Sequence, residues 1–136
     1  MADIGSGAGL PGIVIALSHP ELKVTLIEPL QRRVEFLHEV IDELGLSSVD
    51  VIRAKSESIK GAYTFVVARA VAPLPRLIET TWHLVKPGGT LLAMKGASVE
   101  QEITGLALPK GASFELKEIN LDDLPPARVV AISKAG

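Results

Sequence analysis

The sequence predicts an α/β domain, a doubly wound and mostly parallel sheet with helices on both faces and an antiparallel strand at its C-terminal edge. Three observations predict it. A glycine-rich stretch, Asp3-Ile4-Gly5-Ser6-Gly7-Ala8-Gly9-Leu10-Pro11-Gly12, lies between the stub of an apolar strand and an apolar run, Ile13 to Leu17, that reads as a helix. Strand-then-helix steps then follow one another along the chain, the pattern of a parallel sheet. Finally, Phe114 to Ile119 and Arg128 to Ser133 are separated only by an acidic, proline-bearing loop, Asp122 to Pro126, so they read as paired strands with no helix between them.

The elements follow in order. Lys23-Val24-Thr25-Leu26-Ile27 is short, apolar and β-branched, a second strand that ends in Glu28. Pro20 ahead of it stops the first helix. Leu30, Val34, Leu37, Ile41 and Leu44 recur at steps of four and three, one face of an amphipathic helix opened by Pro29 and closed by Gly45. Val49 to Arg53 is a third strand, and Phe65 to Ala68 a fourth, apolar throughout as a central parallel strand must be. Leu74, Leu77, Ile78, Trp82 and Val85 keep helical spacing behind Pro73 and Pro75, which puts Trp82 in the core. Lys86-Pro87-Gly88-Gly89 turns into a fifth strand, Thr90 to Met94, and Val99 to Leu106 reads as a helix.

Composition bounds the function. The 136 residues make one domain, 1–136, large enough to bury a real core. No apolar run approaches the roughly 20 residues of a membrane span, and no basic secretory leader precedes the glycine stretch. With no cysteine, disulfides, thiolate metal sites and cysteine nucleophiles are excluded together, which fits a cytoplasmic protein. The net charge of −2 exerts no global pull on nucleic acid, so any RNA contact has to come from a local patch. Only Met1 to Ile4 precede Gly5, where a strand of about five residues is expected. The chain is therefore expected to be a fragment or to have a truncated start.

The glycine stretch is a cradle for a nucleotide or cofactor, because backbone without side chains turns sharply and approaches a ligand closely, and a helix N-terminus follows it. Two ligand classes compete for it. Gly7-Ala8-Gly9-Leu10-Pro11-Gly12 matches the GxGxxG dinucleotide fingerprint, and Glu28 lies about 20 residues on, where a ribose-binding carboxylate belongs. The alternative uses the whole Asp3-x-Gly5-x-Gly7-x-Gly9 pattern, which resembles the first motif of class I S-adenosylmethionine-dependent methyltransferases. Glu28 serves the ribose in either case. Lys86-Pro87-Gly88-Gly89 leading into a strand, and the closing strand pair, look like a methyltransferase and unlike a dehydrogenase.

The resemblance narrows further on DIGSGAGLPG, IEPLQRRVEFL, ARAVAPL and AMKG, in this order and spacing. Together they resemble the bacterial small-subunit (16S) ribosomal RNA guanine-N7 methyltransferases, also called the glucose-inhibited division protein B family, from Asp3 to the last strand. That resemblance implies a Rossmann-like class I methyltransferase domain lacking the family's N-terminal helical segment, with S-adenosylmethionine as cofactor and small-subunit ribosomal RNA or the small ribosomal subunit as partner. Gly5, Ser6, Gly7, Gly9 and Leu10 would then bind the cofactor, with Asp3 anchoring their loop. Glu28 would hold the ribose, and Ser56 and Glu57 would border the adenine. Arg69 and Lys95, at the ends of the fourth and fifth strands, would face the reaction crevice as catalytic residues, Arg69 touching the cofactor as well. Thr64 departs from the family, which carries an acidic residue there.

The acceptor sets the mechanism. N7 of guanine has an exposed lone pair and no proton, so methyl transfer needs no general base, and catalysis is positioning and electrostatics. No Ser-His-Asp, paired-carboxylate or metal-ligand spacing stands out, and His19, His38 and His83 are scattered. Arg69 and Lys95 are expected to fix the target nucleotide. Arg32-Arg33, at the start of the second helix, is either a solvated face or a phosphate contact. Two other functions stay open on sequence alone: a cofactor-binding fragment without activity, and a nicotinamide-dinucleotide oxidoreductase domain.

Overall fold

Apolar β-branched runs became strands and amphipathic runs became helices, and the computed structural model describes them over residues 1–69, 72–96 and 99–136. The strands are β1 (Ala2–Ile4), β2 (Val24–Ile27), β3 (Val49–Ile52), β4 (Tyr63–Arg69), β5 (Val85–Lys95), β6 (Ala112–Ile119) and β7 (Ala127–Lys134). Between them lie α1 (Gly12–Ser18), α2 (Gln31–Leu44), α3 (Leu74–Thr81) and α4 (Val99–Ile103). Single 3₁₀ turns occupy Ser56–Ser58 and Trp82–Leu84. None of these helices is long and apolar enough to cross a membrane.

One sheet holds the strands in the order β3-β2-β1-β4-β5-β7-β6. Strands β1 to β5 run parallel, and β7 runs antiparallel to both of its neighbours. This is the doubly wound, mostly parallel architecture expected, with one refinement. The antiparallel strand stands one place in from the edge, and β6 forms the edge itself. Val130 and Ile132 of β7 are apolar and fully buried, whereas β6 is exposed along nearly its whole length, as an edge permits.

Alternation along the strands splits the core into two layers. Ala2, Ile4, Ile27, Val66 and Ala68 face α3, packing with Leu74, Leu77 and Ile78. Val24 and Leu26 point the other way, into Ile13 and Ala16 of α1 and Leu37 of α2. Each fully buried aliphatic side chain contributes about 1.5–3 kcal/mol. β1 is only three residues long but sits between β2 and β4 with every residue buried, so its apolar neighbours hold it.

Among the boundaries that differ from expectation, three do so for local reasons. The helix expected to reach Leu106 ends at Ile103, because Gly105 turns into the left-handed region at φ 73°. β5 starts at Val85 instead of Thr90. Tyr63 pairs with Val85 and Phe65 with Thr90, so residues 86–89 are accommodated as an irregularity within the pairing. Trp82 leaves the α-helix for a 3₁₀ turn and is only partly buried against the core, with the Lys134 ammonium 4.5 Å from the centre of its ring. Ala70 and Val71, within the ARAVAPL motif, lie outside the described residues.

Candidate functional site

The strand order reverses between β1 and β4, and a crevice opens there at the C-terminal ends of the strands. Its volume is about 990 Å³, at the upper end for small-molecule sites. The ends of β1 and β2 contribute Ile4, Gly5, Gly7, Ile27 and Glu28. The segment after β3 contributes Ala54 to Glu57, β4 ends there in Arg69, and α3 supplies Arg76, Leu77 and Thr80.

The glycine loop is tied to β2 from its first residue. Gly5 N–H donates to the Ile27 carbonyl at 2.9 Å and Gly9 N–H to the Ser6 carbonyl at 2.8 Å. Gly9 has φ 91°, and a Cβ on it would lie 2.5 Å from Cγ1 of Ile13, so no other residue fits that bend. Gly12 is different, because its backbone presses on Asp3. A Cβ there would sit 2.6 Å from the carboxylate, and the Gly12 N–H donates to Oδ2 of Asp3 at 3.0 Å. The third glycine of the apparent GxGxxG therefore packs α1 onto β1.

Asp3 is 1% exposed. Burial pushes its carboxyl up to about 7, against the lowering effects of the Gly12 N–H and of the Arg69 charge. Among the described residues its Oδ1 has no hydrogen-bond partner. The Ser6 hydroxyl donates to the Asp3 carbonyl at 3.0 Å, pinning the loop from below.

Glu28, also 1% exposed, holds the loop from the side. Oε1 accepts Gly7 N–H at 3.1 Å and Oε2 accepts Leu30 N–H at 3.0 Å. Arg33 stands 3.5 Å from Oε1. Two carboxylate oxygens offer about four acceptor positions, so capacity remains for hydroxyl donors in the cleft.

Opposite lies the Ser56–Ser58 turn. His83 Nε2 sits 3.1 Å from both the Ser56 and Ile59 carbonyl oxygens, linking that turn to the end of α3. The Glu57 carboxyl is held below its ordinary range, chiefly by its own backbone N–H, with help from the Ser56 hydroxyl and Arg76. Arg76 lies 3.7 Å from Glu57.

Of the residues singled out in the sequence, Gly5, Gly7, Glu28, Ser56, Glu57 and Arg69 meet around this cleft. Asp3, Ser6, Gly9 and Leu10 do not line it. The first three are buried in the loop's foundation, and Leu10 is 41% exposed outside it. Lys95 departs furthest from expectation. Its side chain is 6% exposed, and its ammonium bonds the Ala72 carbonyl and, at 3.1 Å, Oε1 of Glu102. With two of its three donors engaged in this way, Lys95 is not among the residues that line the crevice.

Arg32, Arg33, Lys55 and Arg76 add to Arg69, so five basic side chains face two carboxylates on the cleft wall. This is the local positive patch that the overall charge of −2 conceals. Only Arg32-Arg33 carried a signal, as basic residues at a helix start. Lys55 and Arg76 reach the cleft through tertiary folding alone.

Comparison with known proteins agrees with the fold. Residues 1–118 match the family model described as GidB, rRNA small subunit methyltransferase G. The ribosomal RNA small subunit methyltransferase G of Nocardioides sp. is 56% identical over 106 residues, covering 76% of this chain and 42% of the relative. The protein of that name from Acidothermus cellulolyticus is 55% identical over 101 residues, covering 74% of this chain and 46% of the relative. The chain thus spans less than half the length of these curated relatives. A solved rRNA methylase from Streptococcus thermophilus superposes with a TM-score of 0.69 at 19% identity, over 99% of this chain and 86% of that one, which is a likeness of fold. On the match over residues 1–118, the chain belongs to the rRNA small subunit methyltransferase G family.

Proposed function

We propose that this chain binds S-adenosylmethionine in the cleft and directs its methyl group to N7 of a guanine in small-subunit (16S) ribosomal RNA. The observation that carries the proposal is the buried Glu28 carboxylate bonded to Gly7 N–H, which sets an acceptor for paired hydroxyls beside a glycine loop that leaves space above its backbone. A Cβ on Gly7 would have nothing nearer than 3.8 Å, so the cradle is open at that point. The donors and acceptors present fit the cofactor: backbone N–H groups for its carboxylate end, Glu28 for its ribose, and the Ser56–Glu57 turn for its base.

The cofactor supplies an electrophilic methyl on a sulfonium centre. The acceptor, N7 of guanine, carries an exposed lone pair and no proton, so the chain would need no general base to use that methyl group. No proton moves. The chain's own contribution is therefore orientation and charge. Arg69, exposed at the end of β4 and on the cleft wall, orients the target nucleotide through phosphate or through the O6/N7 edge. Arg32, Lys55 and Arg76 attract the RNA backbone. A ribosomal RNA substrate makes the cytoplasm the site of action.

Calorimetry with S-adenosylhomocysteine and methyl transfer to small ribosomal subunits together test the proposal. Micromolar binding and label recovered as 7-methylguanine are expected. Failure to bind S-adenosylhomocysteine would overturn it, whereas binding without transfer would make the chain a cofactor-binding unit that needs the rest of the family's length to act.

A further inference from the structure

We infer that Glu102 is a positioning residue for the acceptor side of the cleft, acting with Lys95 as a latch on Ala72 and the first residue of α3. The inference rests on the methyl transfer proposed above and deepens it. Oε1 of Glu102 accepts two donors, Leu74 N–H at 2.9 Å and the Lys95 ammonium at 3.1 Å. The same ammonium donates to the Ala72 carbonyl. One carboxylate and one ammonium thus hold the first residue of α3 and the residue two before it.

Local sequence explains why the contact comes from outside. α3 begins behind Pro73 and has no side-chain cap of its own, so its first N–H groups lack intrahelical partners. Glu102, from α4, supplies the cap across space, and a carboxylate at that end is favoured by the helix dipole. The pair is largely withdrawn from water, the Lys95 side chain being 6% and the Glu102 side chain 20% exposed. Removing one member leaves the other buried without a counter-charge, so the two act as a unit.

The latch controls cleft geometry without touching it. Neither Lys95 nor Glu102 lines the crevice, but Ala72 does, as do Arg76, Leu77 and Thr80 of the helix it caps. Arg69 pairs with Met94, the residue before Lys95, and the latch holds Ala72 and Leu74 at the start of α3. The glycine loop and Glu28 form no part of this network. Releasing the latch therefore shifts Ala72 and the start of α3, on the wall that orients the acceptor, while the glycine loop and Glu28 keep their own contacts.

The test uses Glu102→Ala, Glu102→Gln, Lys95→Met and the Lys95→Met/Glu102→Ala double variant. The readouts are methyl transfer to small ribosomal subunits, calorimetry with S-adenosylhomocysteine, and amide hydrogen exchange at Leu74. For Glu102→Ala, kcat is expected to fall about tenfold, the affinity for S-adenosylhomocysteine to stay within about twofold, and Leu74 to lose protection. Glu102→Gln, whose amide oxygen still accepts Leu74 N–H but leaves the Lys95 ammonium without a counter-charge, restores Leu74 protection and recovers part of the loss in kcat. The double variant is no slower than the slower single, the non-additivity of residues that act together. Unchanged kcat in folded Glu102→Ala or Glu102→Gln with Leu74 deprotected would overturn the inference. A parallel loss of cofactor affinity would also overturn it, since that is what general loosening of the fold produces. An unaltered chain that binds S-adenosylhomocysteine but transfers no methyl overturns the catalytic reading itself, and the inference with it.

Discussion

The Glu28 carboxylate accepts the Gly7 amide at 3.1 Å and so binds the end of β2 to the glycine loop after β1. The same side chain takes Leu30 N–H on its other oxygen, just ahead of α2. One buried acid thereby holds the two backbone segments between which the cofactor is proposed to lie.

Glu28→Gln keeps the shape but turns one acceptor into an N–H₂ group facing a backbone N–H. S-adenosylhomocysteine affinity should fall at least about tenfold, or ~1.4 kcal/mol. Unfolding free energy should drop by about 1–3 kcal/mol for the buried donor left unpaired. Calorimetry and urea denaturation measure the two, and unchanged affinity would remove Glu28 from the ribose site.

Two glycines separate space from conformation. Gly12→Ala drives a methyl group into the Asp3 carboxylate and Leu26 and should cost about 1–3 kcal/mol from overpacking. Gly45→Ala meets no atom within 4 Å and bears only the strain of a left-handed φ of 63°, about 1–2 kcal/mol. Cofactor affinity should suffer in the first variant alone, because only Gly12 bonds the acid under the loop.

Asp3 makes stability depend on pH. Its folded pKa of about 7 lies above the ordinary 3.8, so the native state binds the proton more tightly than the unfolded chain. The resulting stabilisation is complete below about pH 4, is lost as pH rises towards 7, and changes little beyond, with a limiting slope of about 1.4 kcal/mol per pH unit. Asp3→Asn should lack this decline. Urea melts of both proteins from pH 4 to 8 check it, and parallel profiles would refute the assignment.

RNA affinity should carry the signature of the basic wall. Arg32→Ala, Lys55→Ala and Arg69→Ala should each reduce the slope of log affinity against log salt by about 0.7 per lost phosphate contact. The exposed positions should change unfolding free energy by less than about 0.5 kcal/mol. Arg69→Ala should also slow methyl transfer at saturating RNA, which the other two should not. Filter binding across a salt series, with single-turnover methylation, distinguishes the roles.

The sequence by itself determined the order of strands and helices, the glycine cradle, and Glu28 at the end of β2, because each depends on period, turn chemistry and composition within a few neighbouring residues. It also placed Arg69 at a strand end on the crevice. Tertiary structure decided what lies across the sheet. Lys95 and Arg69 occupy similar strand-end positions in sequence, yet only folding brings Glu102 and the Ala72 carbonyl onto the Lys95 ammonium and withdraws it from the cleft. Lys55 and Arg76 reach the cleft wall from segments about twenty residues apart, and His83 bonds backbone carbonyls at Ser56 and Ile59. Those partners are set by long-range packing of α3 and α4 on the sheet. A local pattern specifies which side chain stands at a strand end, and the pairing of that side chain with distant charges is a property of the folded whole.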